Sequence, residues 1–170
     1  GNDSTLWVVL HQLRRHHPDA KLLCVTDALP DFARGYGVEW LPLDPMPPRG
    51  LWRISSRAAR EAVLVLVTIV SEPLRRRRAK WLIAGSTDFF VVGTGALDDF
   101  GARPWDMPAW IARWCASARS AGATVKLLSV GAGPIVHPLS RWLMRSAVAA
   151  AQERTYRDAG SRDYMVKLGV

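Results

Sequence analysis

Asp88-Phe-Phe-Val-Val-Gly-Thr-Gly-Ala-Leu-Asp-Asp-Phe-Gly101 is the stretch that decides the fold of this chain. An apolar run, Phe89 to Val92, gives way to glycines and then to two adjacent acids, Asp98 and Asp99. Four large apolar residues without polar alternation suit a strand buried on both faces, as in a parallel sheet. Glycines let the chain turn sharply and let another group come close. The acids have no place in a core strand. They belong in the crevice at its carboxyl end, where open α/β sheets bind ligands. A second unit follows about 35 residues later, Thr124-Val-Lys-Leu-Leu-Ser-Val-Gly-Ala-Gly-Pro134. Two such units predict a shared crevice, and so an enzyme or its substrate-binding half.

Helices and strands alternate on either side of this stretch. Apolar periodicity predicts helices over 4–17, 30–34, 55–70, 109–120, 139–152 and 161–168. Strands are predicted over 21–26, 38–42, 88–93 and 154–156, with another opening the second glycine unit at Val125. A proline-rich connection covers 44–50, and Pro73 is expected to interrupt the third helix. The order α-β-α-β-α-β-α-β-α-β-α predicts an α/β fold, a Rossmann-like three-layer parallel sheet within one domain, 1–170.

The 170 residues are 49% hydrophobic and include eight Trp, which excludes a disordered chain. Twenty-three basic against 15 acidic residues give a net charge of +8, with lysine only at Lys21, Lys80, Lys126 and Lys167. Arginine's planar fork suits carboxylates, phosphates and phosphosugars, so the excess fits an anionic partner; a coding bias toward arginine fits it equally. Cys24 and Cys115 fall in apolar runs and read as buried free thiols. No CxxC or Cys/His ligand spacing occurs, so no metal site is expected. The longest uncharged apolar run, 62–71, is too short to span a bilayer, and no signal-peptide pattern is read, so a cytoplasmic location is expected. The arginine run Arg75, Arg76, Arg77 and Arg78, flanked by Trp52 and Trp81, has two readings. It is the solvated end of a crossover helix, or a peripheral contact with the inner face of a membrane. No aromatic-interleaved basic stripe is present, so nucleic acid is not an expected partner. Gly1-Asn2-Asp3 runs straight into a helix without a preceding strand, and Lys167-Leu-Gly-Val170 follows a helix stop. Both ends read as cut from a longer, two-domain protein.

Several polar residues stand where ligands bind in such a fold. Asn2 and Asp3 open the first helix, where Asp3 is a cap or part of an anion or hydroxyl site. Thr94, Gly95, Asp98 and Asp99 share one strand-end loop; carboxylates there accept hydrogen bonds from sugar hydroxyls, or simply shape the turn. Gly131, Gly133 and Pro134 precede a helix without completing a dinucleotide fingerprint, and are expected to leave backbone NH groups free to face a ligand. His137, just before Pro138, is a helix cap or a general base. Asp158 and Ser161 predict another cap. Arg157 beside them suits a phosphate, a carboxylate or a neighbouring acid, with Arg162 close by.

In sequence order these pieces resemble the polysaccharide pyruvyl transferase family. The likeness is carried by Gly1-Asn2-Asp3 and by Val92-Gly-Thr-Gly-Ala-Leu-Asp-Asp-Phe-Gly101 with Pro104-Trp-Asp-Met-Pro108. It continues through Ser129-Val-Gly-Ala-Gly-Pro134 with Pro138-Leu-Ser-Arg141, and through Tyr156-Arg-Asp158 with Ser161 and Leu168-Gly-Val170. It spans nearly the whole chain, but only the amino-terminal half of a usual member. The resemblance implies two Rossmann-like domains arranged as in GT-B glycosyltransferases, with the reaction in the cleft between them. It implies transfer of the enolpyruvyl group of phosphoenolpyruvate, a co-substrate, to two hydroxyls of a hexose as a cyclic ketal, with no cofactor. The acceptor would be a cell-surface polysaccharide precursor, lipid-linked precursors included. Asn2, Thr94, Gly95 and Asp98 would then bind that sugar, and Gly131, Gly133 and Arg157 would line the cleft floor. Asp3, Asp99 and His137 would be the catalytic candidates. The chain departs from the family pattern at Trp7, where an acid is usual, at Ser4, where glycine is more frequent, and in lacking the first strand; an isolated fragment is expected to be inactive. Two rival readings are a GT-B-like nucleotide-sugar glycosyltransferase and a non-catalytic surface-association module using the arginine run.

Overall fold

The elements run α1 (Asn2–His16), β1 (Leu22–Thr26), α2 (Asp31–Arg34), β2 (Val38–Pro42), α3 (Arg57–Leu82), β3 (Asp88–Val92), α4 (Met107–Ser120), β4 (Thr124–Val130), α5 (Pro138–Ala150), β5 (Glu153–Tyr156) and α6 (Ala159–Lys167). They come from a computed structural model that describes residues 2–26, 31–43, 55–93 and 95–170, with side chains from Ser4 onward. The order is the predicted one. Every strand pair is parallel, as a Rossmann-like α/β fold requires, and the described strands fall in two sheets, β1-β2 and β3-β4-β5. The proline-rich connection and Trp52 lie outside the described residues.

β4 is the middle of the larger sheet, and its Val125, Leu127 and Val130 are fully buried. Right-handed crossovers from β3 to β4 and from β4 to β5 place α4 and α5 on the same face, and the two helices touch. Small residues at helical spacing on α4, Ala112, Cys115 and Ala118, permit that close approach. Met144, Ala147 and Val148 of α5 complete the core there. Each fully buried aliphatic side chain stabilises by roughly 1.5–3 kcal/mol. The smaller sheet is tied on by Leu23, Val25 and Leu43, and by Trp114, whose indole NH donates to the Leu43 carbonyl at 3.2 Å. Burial pushes the Cys115 thiol up to about 12. Cys24, expected to be buried, is only half-buried, and burial still pushes its thiol up.

Two local features depart from expectation. Pro73 does not interrupt α3, which is one helix from Arg57 to Leu82. Proline removes one helical hydrogen bond and crowds the preceding turn, but tertiary contacts bracket it. Glu72 pairs with the buried Arg113 of α4 at 2.9 Å, and Ser117 of α4 donates to the Arg76 carbonyl at 3.5 Å. The second feature is a break in the β4-β5 register between Leu127 and Val130. Ser129 there adopts a positive φ of 50°, a costly conformation for a residue with a side chain. The Thr155 hydroxyl fills the gap, accepting from the Ser129 NH at 2.9 Å and donating to the Leu127 carbonyl at 3.0 Å.

Candidate functional site

Three turns meet at the carboxyl edge of the larger sheet. The loop after β3 adds a rung beyond the strand: Leu97, fully buried, bridges Ala132 in parallel register. Its NH donates to the Gly131 carbonyl at 3.0 Å, and its carbonyl accepts from Gly133 at 3.1 Å. The third turn joins through Arg157, whose NH donates to the Val130 carbonyl at 3.0 Å. It also joins through Ser161, whose hydroxyl accepts from the Ala132 NH at 3.0 Å. The loops after β3, β4 and β5 are therefore joined at one sheet edge, but Arg157 and Asp158 stand back from the hollow that the first two of them border.

The same bonds correct one expectation. The glycine turn does not leave its NH groups free. Gly131 donates to Gly93, Ala132 to Ser161 and Gly133 to Leu97, while Pro134 has no NH. Ile135 donates to the Tyr164 hydroxyl at 2.7 Å, and Val136 and His137 donate to Asp99. A phosphate cradle needs such donors aimed at the ligand. Here the protein itself receives them.

Asp99 takes the place an external anion would occupy at the start of α5. Its carboxylate accepts from Val136 at 2.9 and 3.1 Å and from His137 at 2.9 Å, where the helix dipole also favours negative charge. Burial pushes this carboxyl up. The His137 and Val136 amides, aided by Ser140 and its own backbone, outweigh burial and hold it below the usual carboxylate range. The Ser140 hydroxyl is fully buried without a partner of full hydrogen-bond geometry among the described residues, so its aid is electrostatic.

Asp98 is held differently. One oxygen accepts from the Phe100 NH at 3.2 Å, closing a tight turn, and the other has no protein donor among the described residues. Two glycines make room for it. A Cβ on Gly133 would stand 3.2 Å from the Asp98 Cβ, and one on Gly95 would stand 3.2 Å from Oδ2. Asp98 and Asp99 border an open hollow of about 710 Å³, within the range of small-molecule sites. Phe100, Pro134, Val136 and Pro138 give it an apolar rim, and His137 stands beside them. Phe100 is 94% exposed. Among the described residues no lysine or arginine lines the hollow.

His137 caps α5 as predicted: its Nδ1 accepts from the Leu139 NH at 3.1 Å. That bond leaves Nδ1 unprotonated, so the neutral ring carries its proton on Nε2 and offers a donor. Asp158 caps α6, also as predicted, accepting from the Ser161 NH at 2.7 Å. That NH and the Arg157 side chain, 2.8 Å away, hold the Asp158 carboxyl down to about 2. Gly131 is buried, and neither it nor Arg157 borders the hollow. Thr94 and the side chains of Asn2 and Asp3 lie outside the described residues.

Phe100, Ser140 and Tyr164 were missed as contributors. A phenylalanine directly after two loop acids is a readable signal. Tyr164 reaches a backbone NH 29 residues away, which no local pattern announces. Among the described residues no three His, Cys, Asp or Glu side chains gather as a metal site. No curated protein and no solved structure matches the chain. The family model for polysaccharide pyruvyl transferase matches residues 1–170, from end to end, and the chain belongs to that family of transferases.

Proposed function

We propose that this chain forms the acceptor side of a transferase that moves pyruvate from phosphoenolpyruvate onto two hydroxyls of a hexose. The hexose belongs to a cell-surface polysaccharide precursor, and the product is a cyclic ketal. The observation that carries the reading is the character of the hollow: among the described residues, a carboxylate with one unclaimed oxygen, an exposed aromatic ring and no cation. Hydroxyls donate to such a carboxylate, and the apolar face of a sugar ring packs on such an aromatic. Among the described residues a phosphate finds no donor set there, and the donor's phosphate and carboxylate are assigned to a second, GT-B-like domain.

In the reaction two acceptor hydroxyls add to the enol carbon, its C–O bond to phosphate breaks, and the methylene becomes methyl. Of the two hydroxyl protons, one ends on the methyl carbon and the other on the departing phosphate, so no oxidant or reductant enters. Asp98 is assigned to accept the first hydroxyl proton. His137, with Nε2–H outward, is assigned to donate to an oxygen of the acceptor or of the leaving group; acting as base would mean giving up its cap. Asp99 is assigned to position both. Asn2, Asp3 and Thr94 are assigned to hold the sugar. Phosphoenolpyruvate is a cytoplasmic metabolite, which supports a cytoplasmic reaction.

The test is phosphate release from phosphoenolpyruvate by the full-length protein, with and without a panel of hexosides. Release should require an acceptor, and Asp98→Asn should lower it by roughly 10²–10⁴-fold, the usual range for a positioned acid or base. Asparagine is itself a good cap, so His137→Asn keeps α5 intact and isolates the imidazole. Acceptor-independent turnover, or an unchanged rate in Asp98→Asn, would refute the assignment.

A further inference from the structure

α3 carries two unlike faces. Ala79 and Glu72 face α4. On the opposite side Leu66, Ile69, Val70, Leu74 and Trp81, at spacings of three, one, four and seven residues, are 61–76% exposed, so they share one side of the helix as a stripe. At 1.5 Å per residue it runs roughly 22 Å. Single exposed apolar residues are ordinary on protein surfaces, but a continuous stripe marks an interaction surface.

Charge identifies what covers it. α3 holds seven basic residues, Arg57, Arg60, Arg75, Arg76, Arg77, Arg78 and Lys80, and two acids, Glu61 and Glu72. Both acids are engaged, Glu61 by Arg103 at 2.8 Å and Glu72 by Arg76 and Arg113 at 2.9 Å. Arg77 lies within the stripe between Leu74 and Trp81, and Arg76, Arg78 and Lys80 flank it. A second copy paired parallel about a two-fold axis would set arginines against arginines, and one paired antiparallel would press Arg77 onto the partner's apolar residues without an acid to meet it. A partner that offers hydrocarbon and negative charge at once is an anionic lipid surface. Trp81 suits the headgroup level of such a surface. No helix among the described residues is long and apolar enough to cross a membrane.

We propose that α3 is a peripheral membrane-docking helix. It lies along an anionic bilayer with Leu66, Ile69, Val70 and Leu74 dipping below the headgroups and the arginines on lipid phosphates. This surface is separate from the acceptor hollow and does not depend on the transfer reaction.

The experiment is co-sedimentation of the full-length protein with phosphatidylcholine vesicles, with and without phosphatidylglycerol. The wild type should bind only the anionic vesicles and be partly released by salt. A stripe variant (Leu66→Ser, Leu74→Ser, Trp81→Gln) and a charge variant (Arg77→Gln, Arg78→Gln) should each weaken binding at least tenfold, since one basic residue near such a surface contributes about fivefold. Unchanged melting temperatures, and unchanged transfer to a water-soluble acceptor, should accompany those losses. Absence of wild-type binding, equal binding by both variants, or a stripe-dependent dimer in sedimentation velocity would overturn the proposal.

Discussion

Replacing Asp99 by asparagine should loosen the joint between the β3 loop and α5 by an amount the geometry sets. The carboxylate accepts two backbone NH groups through both oxygens, at 2.9 to 3.1 Å. Asparagine keeps one acceptor oxygen and turns an NH₂ group toward donors. About one charge-assisted hydrogen bond is lost, worth some 1.5–3 kcal/mol when buried and less at a partly exposed site. Loss of negative charge at the start of α5 adds about 0.3–1 kcal/mol. The sum is about 2 kcal/mol, or a fall of roughly 4–8 °C in melting temperature for a domain of this size. The pH dependence has a definite sign. The folded carboxyl lies below its unfolded value, so its stabilisation is complete above the ordinary carboxylate range near 4 and disappears as pH falls through the folded value. The asparagine does not titrate. Thermal melts of both proteins, followed by circular dichroism from neutral to acid pH, should show a gap that is full at neutrality and closes in acid. Asp158, also depressed, contributes to both proteins and cancels in the difference. A gap that stays constant with pH, or no gap at neutrality, would refute the role given to Asp99.

Two further outcomes follow from the packing. Gly133→Ala places a Cβ 3.2 Å from that of Asp98; the crowding should raise the acceptor KM several-fold while costing only about 1–2 kcal/mol of stability, measurable by steady-state kinetics beside a urea titration. Thr155→Val keeps the side-chain shape but leaves the Ser129 NH and the Leu127 carbonyl without their partner, and urea unfolding should report a loss of about 1–3 kcal/mol.

The element order was legible because apolar runs and glycines punctuate this chain clearly. The caps were legible too, since Asp158-Ala-Gly-Ser161 and His137-Pro138 are local patterns whose bonds span two or three residues. What escaped reading depends on distant partners. The NH groups after Gly131 looked available because their acceptors, Leu97, Asp99, Ser161 and Tyr164, lie about 30 residues away or more. Pro73 looked like a break because the Glu72–Arg113 pair that braces it joins residues 41 apart. The outward stripe of α3 was hidden for another reason: its middle is apolar on every side, so periodicity does not say which face is left bare.

The closed network of donors behind the hollow has a consequence for recognition. Because the amides from Gly131 to His137 already have acceptors within the protein, the wall they build is braced without any ligand. An incoming ligand therefore forfeits its own freedom of motion and little of the host's. On the proposed acceptor reading, selectivity then falls to the outline of that wall, and a sugar epimer whose hydroxyl points away from Asp98 should bind more weakly.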